Sequence, residues 1–307
     1  MLRFGTSGVP LTSRTPTTED GIRRARELGL DALEMSWVNG IRMGPESAAR
    51  IAALAREHDI ALTAHAPYYV NLCGDDAVRA RSIRRLMQAG ELAQLCGAGS
   101  FCFHAGFFGQ LDPDEARRLV VQGLSEITDR LRERGVAVDV RPELTGKPTQ
   151  VGSFEDLLDW SAGVPGIRPC IDFSHQYARL QGAVNDFESF RAMLHAVRSR
   201  LGTGALERLH IHIAGIEFGP KGERRHLPLA ESRFRYRELL RALNDERVSG
   251  WVVCESPLME DDALRLQRFA RRLAGGAAPR RTGAGRAALR KRAPSRTRGD
   301  RQAAPVS

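Results

Sequence analysis

No apolar run in the 307-residue chain approaches the ~20 residues that a membrane-spanning helix needs, so no membrane association is expected. The opening MLRFGTSGVP lacks the basic-then-apolar layout of a secretory signal. Cysteine is sparse: five residues, at 73, 96, 102, 170 and 254, an odd number with no C-x-x-C pair. Such spacing argues against a disulfide framework and against a Cys-rich zinc site. It fits a reducing compartment, and a cytoplasmic location is expected. No G-x-G-x-x-G turn follows the first strand pattern, which reads GTSGVPLTSR, so nothing favours a doubly wound, dinucleotide-binding sheet. There is no internal repeat and no sign of a second domain. At 42% hydrophobic and 27% charged residues, the composition excludes a wholly disordered chain, and the length is ample for one large core.

Charge is present in excess but unevenly placed. The formal net charge is +9. Residues 276–307 hold eight Arg, one Lys and one Asp, a net charge of +8, which leaves +1 for residues 1–275. This Arg-rich stretch has three Pro and no periodicity and is expected to be disordered. It is either a polybasic arm that gains phosphate affinity by counterion release or a solubilising tail. The remainder is nearly neutral, so total charge says little about its partners.

Short β-type runs alternate with longer amphipathic ones. Strands are predicted at 2–8, 32–38, 61–67, 100–106, 137–144, 168–175, 208–215 and 251–257. Helices are predicted near 19–28, 45–57, 76–96, 113–134, 153–161, 186–200, 233–245 and 260–274. Asp112-Pro113 and Ser153 are helix starts, and Gly29 and Gly135 sit where helix C-caps belong. Eight βα units over residues 1–275 predict a single-domain (β/α)8 TIM barrel, in which chemistry occupies the C-terminal strand ends.

The predicted strand ends carry polar residues: His65, His104, Glu143, Asp172 with His175, His212, and Glu255. The loop after the seventh strand adds Glu223 and His226. With His210, six of the eight His fall in or beside these strand ends; only His58 and His195 lie on helices, where they should face solvent. A single such His is more often a packed core or rim residue than a ligand. Six of them together with carboxylates imply cations, because buried unpaired carboxylates are costly. Imidazole and carboxylate suit zinc, manganese or iron, and this number of ligands could hold two or three ions. His210 shares a strand face with His212 one layer deeper, as packing or support for a ligand. A multinuclear site suits phosphoester hydrolysis. A single ion on Glu143, Asp172, His212 and Glu255 would suit sugar isomerisation or epimerisation instead, but leaves His65, His104, His175 and His226 without a role.

The segments HAPYYVNL (65–72), FHAG (103–106), PELTG (142–146), CIDFSH (170–175), HIAG (212–215), RRH (224–226) and CESP (254–257) resemble the endonuclease IV family, set among the xylose-isomerase-like barrels. The resemblance runs in order through residues 1–275. It implies a zinc cluster of two or three ions, with manganese as an alternative, bound by His65, His104, Glu143, Asp172, His175, His212, His226 and Glu255. Glu143 and Glu255 would be the catalytic, metal-bridging carboxylates. The implied reaction is hydrolysis of double-stranded DNA 5′ to an abasic site, by a monomer, with Tyr68 and Asn71 contacting DNA. Two departures stand out. Where the family has Asp-Arg-His, this chain has Arg224-Arg225-His226, so Glu223 is taken as the replacement ligand. The first loop, GTSGVPLTS, lacks the family's usual polar loop.

Overall fold

A computed structural model describes residues 1–276; the expected disordered Arg-rich tail lies outside the described residues. Eight parallel strands run along the chain: β1 (Leu2–Ser7), β2 (Ala32–Ser36), β3 (Ala61–His65), β4 (Ser100–Phe103), β5 (Asp139–Pro142), β6 (Cys170–Asp172), β7 (Leu209–Ile213) and β8 (Gly250–Cys254). Their spatial order is β5-β4-β3-β2-β1-β8-β7-β6. Parallel bridges Val140–Ile167 and Glu143–Cys170 bring β5 back to β6, and Leu144 N donates to Cys170 O at 3.0 Å. The sheet is therefore a nearly closed barrel, the expected (β/α)8 architecture, and closure leaves no long open edge.

The helices follow the strands: α1 (Thr18–Leu28), α2 (Pro45–Glu57), α3 (Asp76–Leu95), α4 (Pro113–Glu133), α5 (Phe154–Gly163), α6 (Phe173–Arg179), α7 (Phe187–Leu201), α8 (Tyr236–Asp245) and α9 (Glu260–Gly276). Their boundaries have local causes. Asp112 caps α4 with Pro113 in its first turn, Ser153 and Asp156 form a reciprocal capping box on α5, and Gly29 ends α1 at φ 78°. Close packing of helices on the barrel needs one small residue on α3: a Cβ on Gly90 would meet Leu131 at 3.0 Å and Phe101 at 3.2 Å. On β7, Leu-His-Ile-His-Ile is buried throughout. The period of two sends Ile211 and Ile213 toward one face of the strand, and His210 and His212 toward the other.

Three features differ from expectation, and all lie at the C-terminal rim. The predicted strand 168–175 stops at Asp172. The Asp172 side chain accepts from His175 N at 2.8 Å, which starts helix α6 and carries His175 on its first turn rather than on a strand. The stretch after β7, read as a loop, is an antiparallel hairpin of Gly215–Gly219 and Gly222–Leu227. The predicted strand 100–106 is broken after Phe103, and Gly106–Phe107 pairs instead with Gln150–Val151. Each exchanges a simple strand end for a device that brings a side chain over the barrel mouth.

Candidate metal centre

All nine residues expected at the site converge. Glu143, following β5, is at the centre. Its Oε2 lies 3.0 Å from His65 Nε2 and 3.3 Å from His104 Nε2. Its Oε1 lies 3.1 Å from His212 Nδ1 and 3.5 Å from His175 Nδ1. Glu255, following β8, places Oε1 3.6 Å from His212 Nδ1 and Oε2 4.0 Å from His226 Nε2. The hairpin folds Glu223 and His226 over the opposite side, each 3.4 Å from His175 Nε2. Glu223 fits there because residue 146 is glycine: a Cβ on Gly146 would meet Glu223 Oε2 at 2.7 Å.

Three imidazoles are held in one orientation by the backbone. Nδ1 of His65, His175 and His226 lies 2.8, 2.9 and 3.1 Å from the carbonyl oxygens of Ala66, Leu144 and Glu255. A proton on Nδ1 donates to each carbonyl and leaves Nε2 directed at the carboxylates, an arrangement that orients histidines as metal ligands. Overlapping sets of potential ligand atoms, each set mutually within 4.8 Å, tile the site: Asp172, His175, His226 and Glu255; His104, Glu143 and His175; Glu143, Asp172, His212 and Glu255. Asp172 Oδ2 is buried without a hydrogen-bond partner. An orphaned carboxylate oxygen amid inward-facing nitrogens is what a bound cation would satisfy, so the residues present fit divalent metal ions.

The electrostatics point the same way. Burial would raise the Glu143 pKa, yet the charges of His104 and His212 and their hydrogen bonds hold it well below the usual range. Burial, together with the charges of Glu255 and Glu143, pushes Asp172 up despite His175. Burial would lower His65 and His175, but the hydrogen bond and charge of Glu143 carry His65 to about 9, and Asp172 and Glu223 carry His175 to about 9. Protons and metal cations compete for these nitrogens, so metal affinity should fall at low pH.

Beneath the rim lies a second polar group, of which only His210 and His212 were anticipated. Glu34 on β2 is fully buried and accepts from Thr63 Oγ1 at 3.0 Å and Ser7 Oγ at 3.2 Å. Its Oε2 is 2.9 Å from His210 Nε2 and 3.3 Å from His212 Nε2. Although burial opposes it, the charge of His212 and the hydrogen bond from His210 keep this carboxylate well below its ordinary pKa. Within ALEMSWV nothing but polarity marked Glu34, and a lone Glu in a strand pattern is normally read as solvent-facing. Cys102 and Cys170 also face this floor.

Around the mouth, Tyr68 is 53% exposed, stacks on His104 at 5.9 Å and meets His65 edge-on at 5.2 Å. Asn71 does not line the cleft over the cluster but braces two loops: its Oδ1 accepts from Cys73 N at 3.0 Å and Phe107 N at 3.3 Å. The divergent first loop is tied down by Glu260, whose carboxylate accepts from the backbone of Leu11 and Thr12, each at 2.9 Å. His195, expected to face solvent, is half-exposed and pairs with Glu246 at 2.7 Å. The cleft over the cluster has a volume of about 260 Å³, and Phe107, Lys147 and Gln150 join its walls. Pockets that enclose drug-sized ligands run to ~300–1,000 Å³, so this cleft is small by comparison.

A family model described as a xylose isomerase-like TIM barrel matches residues 22–276. An uncharacterised protein of Methanocaldococcus jannaschii is 39% identical over 272 residues, covering 87% of this chain and 96% of that protein. A probable endonuclease 4 of Symbiobacterium thermophilum is 27% identical over 254 residues, covering 78% of this chain and 89% of its own. Among solved structures, endonuclease IV from Thermus thermophilus aligns with a TM-score of 0.65 at 20% identity, over 90% of this chain and all of that one. A D-tagatose 3-epimerase-like protein aligns with a TM-score of 0.68 at 18% identity over the same share of each chain. At these identities, both structural likenesses concern the fold. No helix among the described residues is long and apolar enough to cross a membrane.

Proposed function

This chain belongs to the xylose isomerase-like TIM barrel family, and we propose that within it the chain is a zinc-dependent phosphodiesterase that cuts double-stranded DNA 5′ to abasic sites in base excision repair. The observation that carries the reading is the surplus of oriented imidazoles. A single-ion site needs only Glu143, Asp172, His212 and Glu255, four residues that do lie mutually within 4.8 Å. His65, His175 and His226 nevertheless have their Nδ1 atoms placed against carbonyl oxygens. This orientation aims Nε2 of each ring at the carboxylates, where further ions would be held. His65, His104, Glu143, Asp172, His175, His212, Glu223, His226 and Glu255 would hold two or three ions. Ions held there would supply Lewis-acid charge to the phosphodiester oxygens and make water more acidic.

The chain's own groups have separable tasks. Glu143 and Glu255 each lie between two sides of the cluster and keep the imidazoles at fixed spacing. Backbone carbonyls hold three of the rings, so little reorganisation accompanies reaction. Tyr68 offers a flat, exposed face at the mouth, suited to stacking where a base is missing or turned out. Lys147 on the cleft wall brings a positive charge suited to a phosphate. The likeness to relatives named probable endonuclease 4 supports the same direction.

The test is incubation of purified protein with a duplex carrying one abasic site, beside a working control enzyme. Incision giving a 3′-hydroxyl is expected; no incision under any metal supplementation overturns the nuclease. A second reading is a single-ion sugar isomerase or epimerase, favoured by the Glu143–Asp172–His212–Glu255 quartet. Metal occupancy at the rim separates the two: two or three ions bound by the rim residues support the nuclease, whereas one ion at the quartet supports the sugar enzyme.

A further inference from the structure

We propose that the barrel interior beneath the rim is a second, closed metal site, in which Cys102, Cys170, His210 and His212 hold one thiophilic divalent cation, zinc above all. The four come from β4, β6 and β7, all are buried, and their ligand atoms lie within 4.8 Å of one another. His210 Nε2 and His212 Nε2 are 3.2 Å apart, and Cys102 Sγ is 3.8 Å from His212 Nε2. A tetrahedral zinc with its usual bond lengths separates two nitrogens by about 3.4 Å and a nitrogen from a sulfur by about 3.6 Å. These pairs are thus within roughly 0.2 Å of that geometry.

The surroundings already orient both rings. His210 Nδ1 pairs with Ser100 Oγ at 3.0 Å, which turns Nε2 toward the thiols. His212 Nδ1 faces the rim, 3.1 Å from Glu143, so its ring would stand between the floor cation at Nε2 and a rim ion at Nδ1, as a bridging imidazolate. Support of the far ring nitrogen is what metal-binding histidines receive. Barrel interiors are ordinarily filled by branched apolar side chains, so two thiols and two imidazoles meeting there call for a cause. Glu34, anchored by Thr63 and Ser7, accepts the protons that the two Nε2 atoms carry; a cation would replace those protons and keep the carboxylate beside it. With four protein ligands and no access to water, the site would tie β4, β6 and β7 together, as structural zinc does, and would be filled during folding.

The competing account is a buried Glu34–histidine pair with two thiols packed as small hydrophobes. Sulfur ligation decides between them. Cys102 also lies within reach of His65 and Glu143, so Cys170 is the discriminating residue. The full-length protein is produced in zinc-depleted, cobalt-supplemented medium, and its absorption spectrum is recorded. A thiolate-to-cobalt charge-transfer band is expected, weakened sharply in Cys170→Ser and unchanged in Cys254→Ser, an equally buried cysteine. X-ray absorption on the wild-type protein, combined with its ion content, should count two sulfur ligands per chain at ~2.3 Å. Absence of the band, a band untouched by Cys170→Ser, or fewer than two sulfurs overturns the proposal. If Cys170→Ser does not accumulate, the wild-type sulfur count decides alone. The inference does not depend on the nuclease reading: failure to incise DNA leaves it standing, and loss of the sulfur signal leaves the rim with all its proposed ligands, His212 then facing it alone through Nδ1.

Discussion

The two mouths of the barrel handle buried charge in opposite ways. At the N-terminal end, Arg141 is almost wholly buried, yet its Nη1 donates to Pro169 O at 2.8 Å and its Nη2 to Asp139 at 2.9 Å and Arg208 O at 2.7 Å. Arg168 and Arg208 also approach Asp139, at 3.4 and 3.6 Å, and Trp251 presents its ring to Arg141 and Arg208. Cations there are matched by permanent partners. At the C-terminal end, the carboxylates of Glu143, Asp172, Glu223 and Glu255 face one another across imidazoles, and Asp172 Oδ2, 3.4 Å from His175 Nδ1, has no hydrogen-bond partner. One mouth is a largely satisfied electrostatic network, in which Arg141 Nη1 and Nη2 are paired and Nε is buried without a hydrogen-bond partner. The other gathers carboxylates and imidazoles that an added cation would satisfy.

Substitutions should separate the two mouths. The largest effect is expected for Glu255→Gln: abasic-site incision falls below detection while the thermal midpoint is nearly unchanged, because the amide keeps the shape and removes the charge. Turnover at the wild-type rate would refute the bridging role of Glu255. Arg141→Met should do the reverse, costing about 1–3 kcal/mol in denaturant unfolding by leaving the carbonyls of Pro169 and Arg208 without their donor, with activity per folded molecule preserved. A stable but inactive Arg141→Met would erase the contrast between the ends. Tyr68→Ala should weaken binding of abasic DNA by about 1–3 kcal/mol, seen in KM more than in kcat, with metal content intact. Equal KM values would remove the stacking role.

The smallest effect concerns a structural network away from both mouths. Burial opposes ionisation of Glu246, but hydrogen bonds from Arg191, His195 and Arg198 hold its pKa down to about 2. A lowered carboxylate contributes stability that is present above its unfolded value, near 4.5, and is lost as pH falls toward 2. Glu246→Gln should therefore cost about 1–2 kcal/mol at neutral pH, and its gap from wild type should close across that acidic window. A gap that is constant with pH would assign the loss to packing. Low pH should act differently at the rim, where it releases metal before it unfolds the barrel.

The rim was far more legible than the floor. His65, His104, Glu143, Asp172, His212 and Glu255 each follow or end an apolar β-type run, and strand ends of a βα repeat share one face of the molecule. Position along the chain therefore nearly sufficed. Glu223 was reached only as a substitute for a missing Asp; that it sits above Gly146, on a hairpin read as a loop, required coordinates. His175 was assigned to the right site on the wrong element, because Asp172 caps a helix that the apolar pattern CIDFSH disguised as strand.

The floor was hidden for a definite reason. Absence of a C-x-x-C pair argued against a Cys-rich zinc site, a rule that looks for ligands close in sequence. Cys102 and Cys170 stand far apart in the chain, on strands separated by β5 in the sheet, and neither neighbour pattern nor spacing links them. What residues alone could establish was local: where strands begin and end, which side chains alternate inward, and which helix starts are capped, since each depends on neighbours within a few positions. Which inward side chains meet was decided by register and closure. The bridge Glu143–Cys170 brings β5 back to β6, and only that closure makes inward side chains of β2, β4, β6 and β7 neighbours in the barrel interior.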